Sequence, residues 1–408
     1  MLSLITDRAL KFAAPADADQ AEQNARLSAF SMTGWMKIAQ RESAAELDRI
    51  HAAAQRIRRE SGALVLVGAG GSSLGARALI SALGDGDFSV FFCGDNLSAK
   101  RMTRLRERLK TRDYSINIVS KTGTTLETLA AARVLLSDME ARYGTAAFGR
   151  VYVTAGEEDN ALSRFARERE CELFAIPRDV GGRYSVLSPA GLLPAAAAGV
   201  DIDALISGAR DMAQSGRHTA LRYAATRRGL YASGYRTEIF APFEADLSDL
   251  ASWWRQLFGE SEGKGGGGIF PSRAAFTADL HSMGQYIQQG RRDIFETLLS
   301  VRDGGTLVIP RASYFGGVSD DLVGTDFAEL NAAARRAVAD AHAAGGVPVL
   351  EIELARLDAY NIGQAVYFFQ LACAYSGVLS GINPFDQPGV ESYKRKLKEI
   401  LSNNRRSF

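Results

Sequence analysis

Through the first half of the chain, short apolar runs rich in β-forming residues alternate with stretches of helical periodicity. That alternation limits the possible folds more than any other feature. ALVLVGA at 63–69, FSVFFCG at 88–94, SINIVS at 115–120, RVYVTA at 150–155 and CELFAI at 171–176 are short enough for strands and apolar enough to be buried. Strands of this kind separated by helices build a parallel sheet covered by helices on both faces. A second series repeats the pattern with TEIFAP at 237–242, GTLVIP at 305–310 and PVLEIEL at 348–354. The expected fold is therefore α/β with two domains, each a parallel sheet sandwiched by helices. The first is expected over 41–180, after an N-terminal helical segment at 1–40, and the second over 205–375. A C-terminal helical tail follows at 376–408 and contains the turn SGINPFDQPG, which separates it into the end of one helix and a second helix.

With 408 residues, 46% of them hydrophobic and 23% charged, the chain can bury two or three cores. Lys and Arg total 48 against 47 Asp and Glu, so no global field draws nucleic acid or an anionic membrane. An anionic ligand must be held locally, which favours a small phosphorylated molecule over a polyanion. The three cysteines, Cys93, Cys171 and Cys373, are far apart and lack CxxC spacing, as expected of a protein in a reducing cytoplasm. The N-terminus carries acids early and does not read as a signal peptide. No stretch is expected to reach the roughly 20 apolar residues that span a bilayer.

Several patches carry residues suited to chemistry. GAGGSSLGA at 68–76 sits where a strand turns into a helix, and its glycines let backbone N–H groups approach an anion. A tight turn needing glycine for steric reasons explains the same pattern. The glycines fall at 68, 70, 71 and 75, out of register for a dinucleotide site. SKTGTTLET at 120–128 crowds Ser120, Lys121, Thr122, Thr124, Thr125 and Thr128 around a strand end and the first turn of a helix. Hydroxyls, exposed amides and a cation at a helix N-terminus make a phosphate cradle. A capping box of Thr124 with Glu127 would use only two of these residues.

Arg183 follows two glycines in GGRYS, so it can reach a cleft and neutralise an oxyanion; a loop arginine paired with a surface acid is the plainer reading. In LSDLASWWRQLFGESEGK the apolar stripe is Leu250, Trp253, Trp254, Leu257 and Phe258, flanked by Gln256 and Glu260 one turn apart. Glu260 lies near the helix C-terminus, where the dipole disfavours a carboxylate; from this helix alone a surface glutamate is the plainer reading. Its companion Glu262 is expected to be solvated, and GKGGGG after it to form a mobile loop. His281 falls off the stripe of Leu280, Met283 and Ile287, beside Gln285 and Gln288, with no metal-ligand spacing around it. On the terminal helix, Lys394 lies next to the stripe of Val390, Tyr393, Leu397 and Ile400, whereas Arg395 and Lys398 are expected to point outward.

In this order GGSSLG, SKTGTTLET, GGRYSVLSPAGLLP, ESEGK, HSMGQYIQQG and DQPGVESYK resemble the successive signatures of the glucose-6-phosphate isomerase family, from residue 68 to 394. The resemblance implies two sugar-isomerase domains, each with a five-stranded parallel sheet, in a homodimer whose active sites are shared between subunits. It implies an aldose–ketose isomerase of glycolysis and gluconeogenesis that opens the sugar ring and passes through a cis-enediolate, with no metal and no cofactor. By the same resemblance Ser120, Lys121, Thr122, Thr125 and Thr128 surround the phosphate, and Gly71 and Ser72 close the sugar end. Glu260 matches the base and Arg183 the cation for the enediolate. His281 and Lys394 match the ring-opening pair, and Gly182, Gln256 and Gln387 flanking substrate contacts. Two rivals stay open: a non-catalytic phosphosugar-binding module, which would not need Glu260, His281 and Lys394 together, and an isomerase of mannose 6-phosphate or an amino sugar.

Overall fold

The computed structural model describes residues 2–16, 18–38, 44–312, 317–318 and 320–405. Among the described residues ten strands form two five-stranded sheets: β1 (Ser3–Ile5), β2 (Ala63–Val67), β3 (Ser89–Cys93), β4 (Tyr114–Ser120), β5 (Val151–Gly156), β6 (Glu172–Ile176), β7 (Thr237–Pro242), β8 (Phe270–Arg273), β9 (Ile294–Asp303) and β10 (Val349–Arg356). The first sheet has the order β3-β2-β4-β5-β6, parallel throughout. The second has the order β1-β10-β9-β7-β8, with β10, β9, β7 and β8 parallel. Its fifth strand is antiparallel, because the N-terminal segment, expected to be helical, begins with β1 and lies along β10. The expected boundary at 40–41 falls outside the described residues, and residue 375 lies inside one continuous helix, Ala359–Leu379.

Side-chain alternation along the strands sets the layers. In β2, Leu64 and Leu66 face one core, whereas Ala63, Val65 and Val67 face another. In the second sheet Phe240, Phe295, Leu299, Leu350 and Ile352 face that same first core, and Ile239, Ala241, Leu298 and Val349 face a third. Period-two strands therefore give one shared core between the sheets and a separate core on each outer face. The Ala359–Leu379 helix fills the shared core together with Ile202–Ser215, Arg217–Ala232 and Ser248–Glu262. At 21 residues it is long and apolar enough to cross a membrane, contrary to the sequence expectation, yet 94% of its most apolar stretch is buried inside the protein. Its composition is that of a core helix. Burial also pushes the thiol of Cys93 up to about 12 and those of Cys171 and Cys373 up to about 11.

The strand expected at 305–310 does not form. Val308 makes a single bridge to Asp326, and Leu307 and Val308 are more than half exposed. The strands β8 and β9 take the remaining places in the second sheet. Polar residues hid β9: Glu296, Thr297 and Ser300 interrupt its apolar run, yet all three are buried. Glu296 is held 2.6 Å from His342 Nδ1, and the Thr297 hydroxyl donates to Glu238 at 2.6 Å. A buried strand tolerates polar groups that find partners, as Glu296 and Thr297 do, whereas the Ser300 hydroxyl is buried without one among the described residues.

Candidate active site

In the first sheet β2 and β4 are neighbours, but the chain runs from β2 outward to β3 and then crosses back to β4. Loops leaving the carboxyl ends of two such strands diverge and open a crevice, the position where doubly wound sheets bind ligands. Gly68–Ser72 leaves β2 there and Ser120–Thr125 leaves β4. The β2 loop and the GGRYS segment at 181–185 then touch backbone to backbone. A Cβ at Gly71 would lie 2.3 Å from the Gly182 carbonyl and 2.7 Å from the Arg183 amide nitrogen, so only glycine fits. Gly70, at φ +55°, faces the Gln256 amide.

The Ser248–Glu262 helix runs from the end of β7 and packs on the Leu74–Leu83 helix that follows the β2 loop. Its apolar stripe is fully buried, which fixes the helix's rotation and presents Gln256 and Glu260 at the crevice. The Gln256 amide donates to Glu260 Oε1 at 2.9 Å, and Arg183 Nη1 lies 3.3 Å from Glu260 Oε2. The Glu260 side chain keeps about 31% of its surface exposed, whereas Arg183 is buried. All five Arg183 donors are engaged. Nε donates to Ser261 at 2.8 Å, Nη1 to Gln387 at 2.8 Å, and Nη2 to the carbonyls of Pro384 and Asp386 at 2.7 and 2.9 Å. The contact to Glu260 is the longest of the five. Three sequence motifs far apart in the chain thus meet at one guanidinium.

Around the β4 loop, the Ser120 and Thr125 hydroxyls are 3.2 Å apart, as are Ser120 Oγ and the Gly123 amide, and Thr122 and Thr124 are 2.9 Å apart. The N-cap of the Leu126–Tyr143 helix is Thr125 rather than Thr124, and no side chain caps it. The capping box is therefore not formed, and the first amides remain open to an anion. A cavity of about 660 Å³ lies between this loop and the C-terminal helix Gly389–Arg405, lined by Thr122, Thr124, Thr125, Lys394 and Lys398 among others.

Several expected site residues are placed differently. Lys121 donates to the carbonyls of Arg178 and Val180 at 2.9 and 2.8 Å, and burial lowers its pKa. Two of its three donors are thus tied to a loop. Thr128 is fully buried and bonds the Gly94 carbonyl at 3.4 Å, so it braces the neighbouring strand end. Ser72 is half-buried in the β2 turn, with no partner for its hydroxyl among the described residues. His281 is exposed on the Leu280–Gln289 helix and forms no hydrogen bond or ion pair with the cluster. On the same helix Met283 and Tyr286 are 40% and 47% exposed, so of the expected stripe only Ile287 is fully buried.

Three further expectations are corrected. Glu262 is buried, because Arg227 pairs with it at 2.6 Å. Lys398 is exposed, as expected, but also lines the cavity, one helical turn beyond Lys394 on the same face. The stripe of the terminal helix is largely open, with Tyr393 and Ile400 59% and 49% exposed. Sequence reasoning also missed Ser261 and the 384–386 carbonyls; Ser261 adjoins Glu260 in ESEGK, but carbonyls leave no trace in a sequence.

The family model described as phosphoglucose isomerase matches residues 54–408. A glucose-6-phosphate isomerase of Symbiobacterium thermophilum is 46% identical over 388 residues, covering 90% of this chain and 86% of that protein. One from Fusobacterium nucleatum is 42% identical over 393 residues with the same coverage. Among solved structures, a hypothetical protein from Thermus thermophilus superposes over the whole of both chains with a TM-score of 0.88 and 30% identity. A glucose-6-phosphate isomerase of Chlamydia trachomatis shares the fold, with a TM-score of 0.74 and 18% identity over 98% of this chain and 91% of that one.

Proposed function

The chain belongs to the phosphoglucose isomerase family and is an aldose–ketose isomerase of glucose 6-phosphate and fructose 6-phosphate; from that premise we propose how its residues divide the work. The observation that carries the assignment is the carboxylate of Glu260, partly exposed and held between the Gln256 amide and Arg183. Glu260 takes the proton from one carbon of the C1–C2 pair and returns it to the other. Moving that proton beside a carbonyl puts negative charge on oxygen, and a fixed cation next to the base stabilises it. The Arg183–Glu260 contact, being the longest of the five, is the one a substrate oxygen takes over. Ser120, Thr122, Thr125 and the amides of the uncapped helix hold the phosphate. Gly71, Ser72, Gly182, Gln256 and Gln387 line the sugar end.

Ring opening falls to Lys394 and His281. Within one chain His281 stands apart from the cluster, on a helix that exposes apolar side chains, which favours a homodimer in which the partner subunit's His281 completes each site. Coexpressed Glu260→Gln and His281→Ala subunits test this arrangement. Each variant alone is expected to be nearly inactive. A mixed dimer would then hold one intact and one doubly altered site, so random pairing gives about a quarter of wild-type activity. No recovery in mixed dimers of verified composition means that His281 serves its own subunit.

Because the phosphate is gripped equally in ground and transition states, Ser120→Ala and Thr125→Ala are expected to raise KM about tenfold with little change in kcat. A coupled assay of both directions reads this. A fall in kcat at unchanged KM would place these hydroxyls at the reacting carbons instead.

A further inference from the structure

The phosphate loop lacks a free cation of its own. Ser120, Thr122 and Thr125 offer neutral hydroxyls, and Lys121 is tied by two of its donors to the carbonyls of Arg178 and Val180. A phosphomonoester carries about −1.5 to −2 charge at neutral pH, which hydroxyls and amides alone match poorly. Across the 660 Å³ cavity two lysines of the C-terminal helix, Lys394 and Lys398, both exposed, line the wall opposite the loop. Their surroundings differ. Lys394 lies 2.8 Å from the Glu391 carboxylate, and the neighbouring Lys396 pairs with Glu399 at 3.1 Å. Lys398 has no side-chain partner among the described residues; its backbone carbonyl accepts from the Ser402 hydroxyl at 2.8 Å. Of the carboxylates lining the cavity, Glu391 is taken by Lys394, and Glu127 lies in the first turn of the helix that follows the loop.

We propose that Lys398 is a phosphate-binding residue, closing its ammonium on the phosphoryl oxygens of the substrate from the side opposite the Ser120–Thr125 loop. This rests on the reading of that loop as the phosphate subsite. A lysine one turn beyond Lys394 then binds the far end of the same substrate molecule, and the terminal helix is drawn onto the loop by charge. The competing partner for the ammonium is Glu127. A lysine that merely paired with Glu127 would leave phosphate affinity unmoved.

The test measures KM for glucose 6-phosphate and the inhibition constant of inorganic phosphate in the full-length protein and its Lys398→Met variant. Both constants are expected to rise about tenfold, with kcat within about twofold, as for loss of one charged hydrogen bond. Lys398→Arg keeps the charge and should recover most of the loss, and the salt dependence of KM should weaken in Lys398→Met. If both constants stay at wild-type values in Lys398→Met while Ser120→Ala and Thr125→Ala raise KM, the role of Lys398 is overturned and the loop reading stands. If none of the three variants moves KM, the phosphate is held elsewhere and both readings fall.

Discussion

Replacing Glu260 by glutamine is expected to lower kcat by about 10²–10⁴-fold, the usual contribution of a positioned general base, with little change in substrate affinity. The structure makes this a clean substitution. In the native site Glu260 Oε1 accepts from the Gln256 amide nitrogen, while Gln256 Oε1 is buried without a partner among the described residues. A glutamine at 260 can place its own amide against Gln256 after a flip of that side chain, so the hydrogen bond survives with its polarity reversed. The remaining oxygen still accepts from Arg183. Shape and contacts are kept, and only basicity is removed. Exchange of the C2 proton of glucose 6-phosphate with deuterated water should fall in parallel with isomerisation, while the thermal midpoint stays near that of the wild type. Near-normal exchange in Glu260→Gln would sink the assignment. Glu262 could not then take over without cost, since its carboxylate is buried against Arg227.

The largest expected loss of stability comes from Arg227→Met. Arg227 is completely buried, with Nε 2.6 Å from Glu238 and Nη1 and Nη2 at 2.6 and 3.1 Å from Glu262. Nη1 also reaches the Ser376 hydroxyl at 2.8 Å, and Tyr223 and Thr297 each donate to Glu238 at 2.6 Å. Removing the guanidinium leaves two carboxylates in the core without a cation, which costs about 3–5 kcal/mol. Against a typical total of about 5–15 kcal/mol, that is a large share. Denaturant titration at neutral pH should show it, and the triple variant Arg227→Met, Glu238→Gln, Glu262→Gln should recover much of it, because no buried charge is then left unpaired. A loss below about 1 kcal/mol in the single variant would mean that the carboxylates reach water or change their protonation at little cost. Since Glu262 ends the helix that carries Glu260, the single variant should also lose activity in its folded fraction.

The strands β2, β4, β5 and β7 were legible because each is a short apolar run between helical patterns, and burial on both faces needs that composition. By the same logic GTLVIP read as a strand, and β9 did not. Apolar content reports the average demand of a buried strand, whereas β9 meets its demand through partners elsewhere, His342 for Glu296 and Glu238 for Thr297. Similarly β1 is too short for periodicity to register, and it exists because the edge of β10 offers it a ladder.

For the site, the sequence by itself determined which residue types are present and on which elements: Glu260 and Gln256 one turn apart on an apolar-striped helix, hydroxyls massed at Ser120–Thr125, and glycines where Gly71 needed them. Those features depend on neighbours within a few residues, so helical and strand periodicity exposes them. Tertiary structure alone decided what each side chain faces. It took Lys121 to the Arg178 and Val180 carbonyls, buried Thr128 and Glu262, gathered Ser261, Gln387 and two backbone carbonyls around Arg183, and set Lys398 on the wall of the cavity. Hydrogen bonds and ion pairs act over about 3–4 Å in space, between residues separated around Arg183 by as many as 204 positions in the chain, and local periodicity carries no information about such pairs.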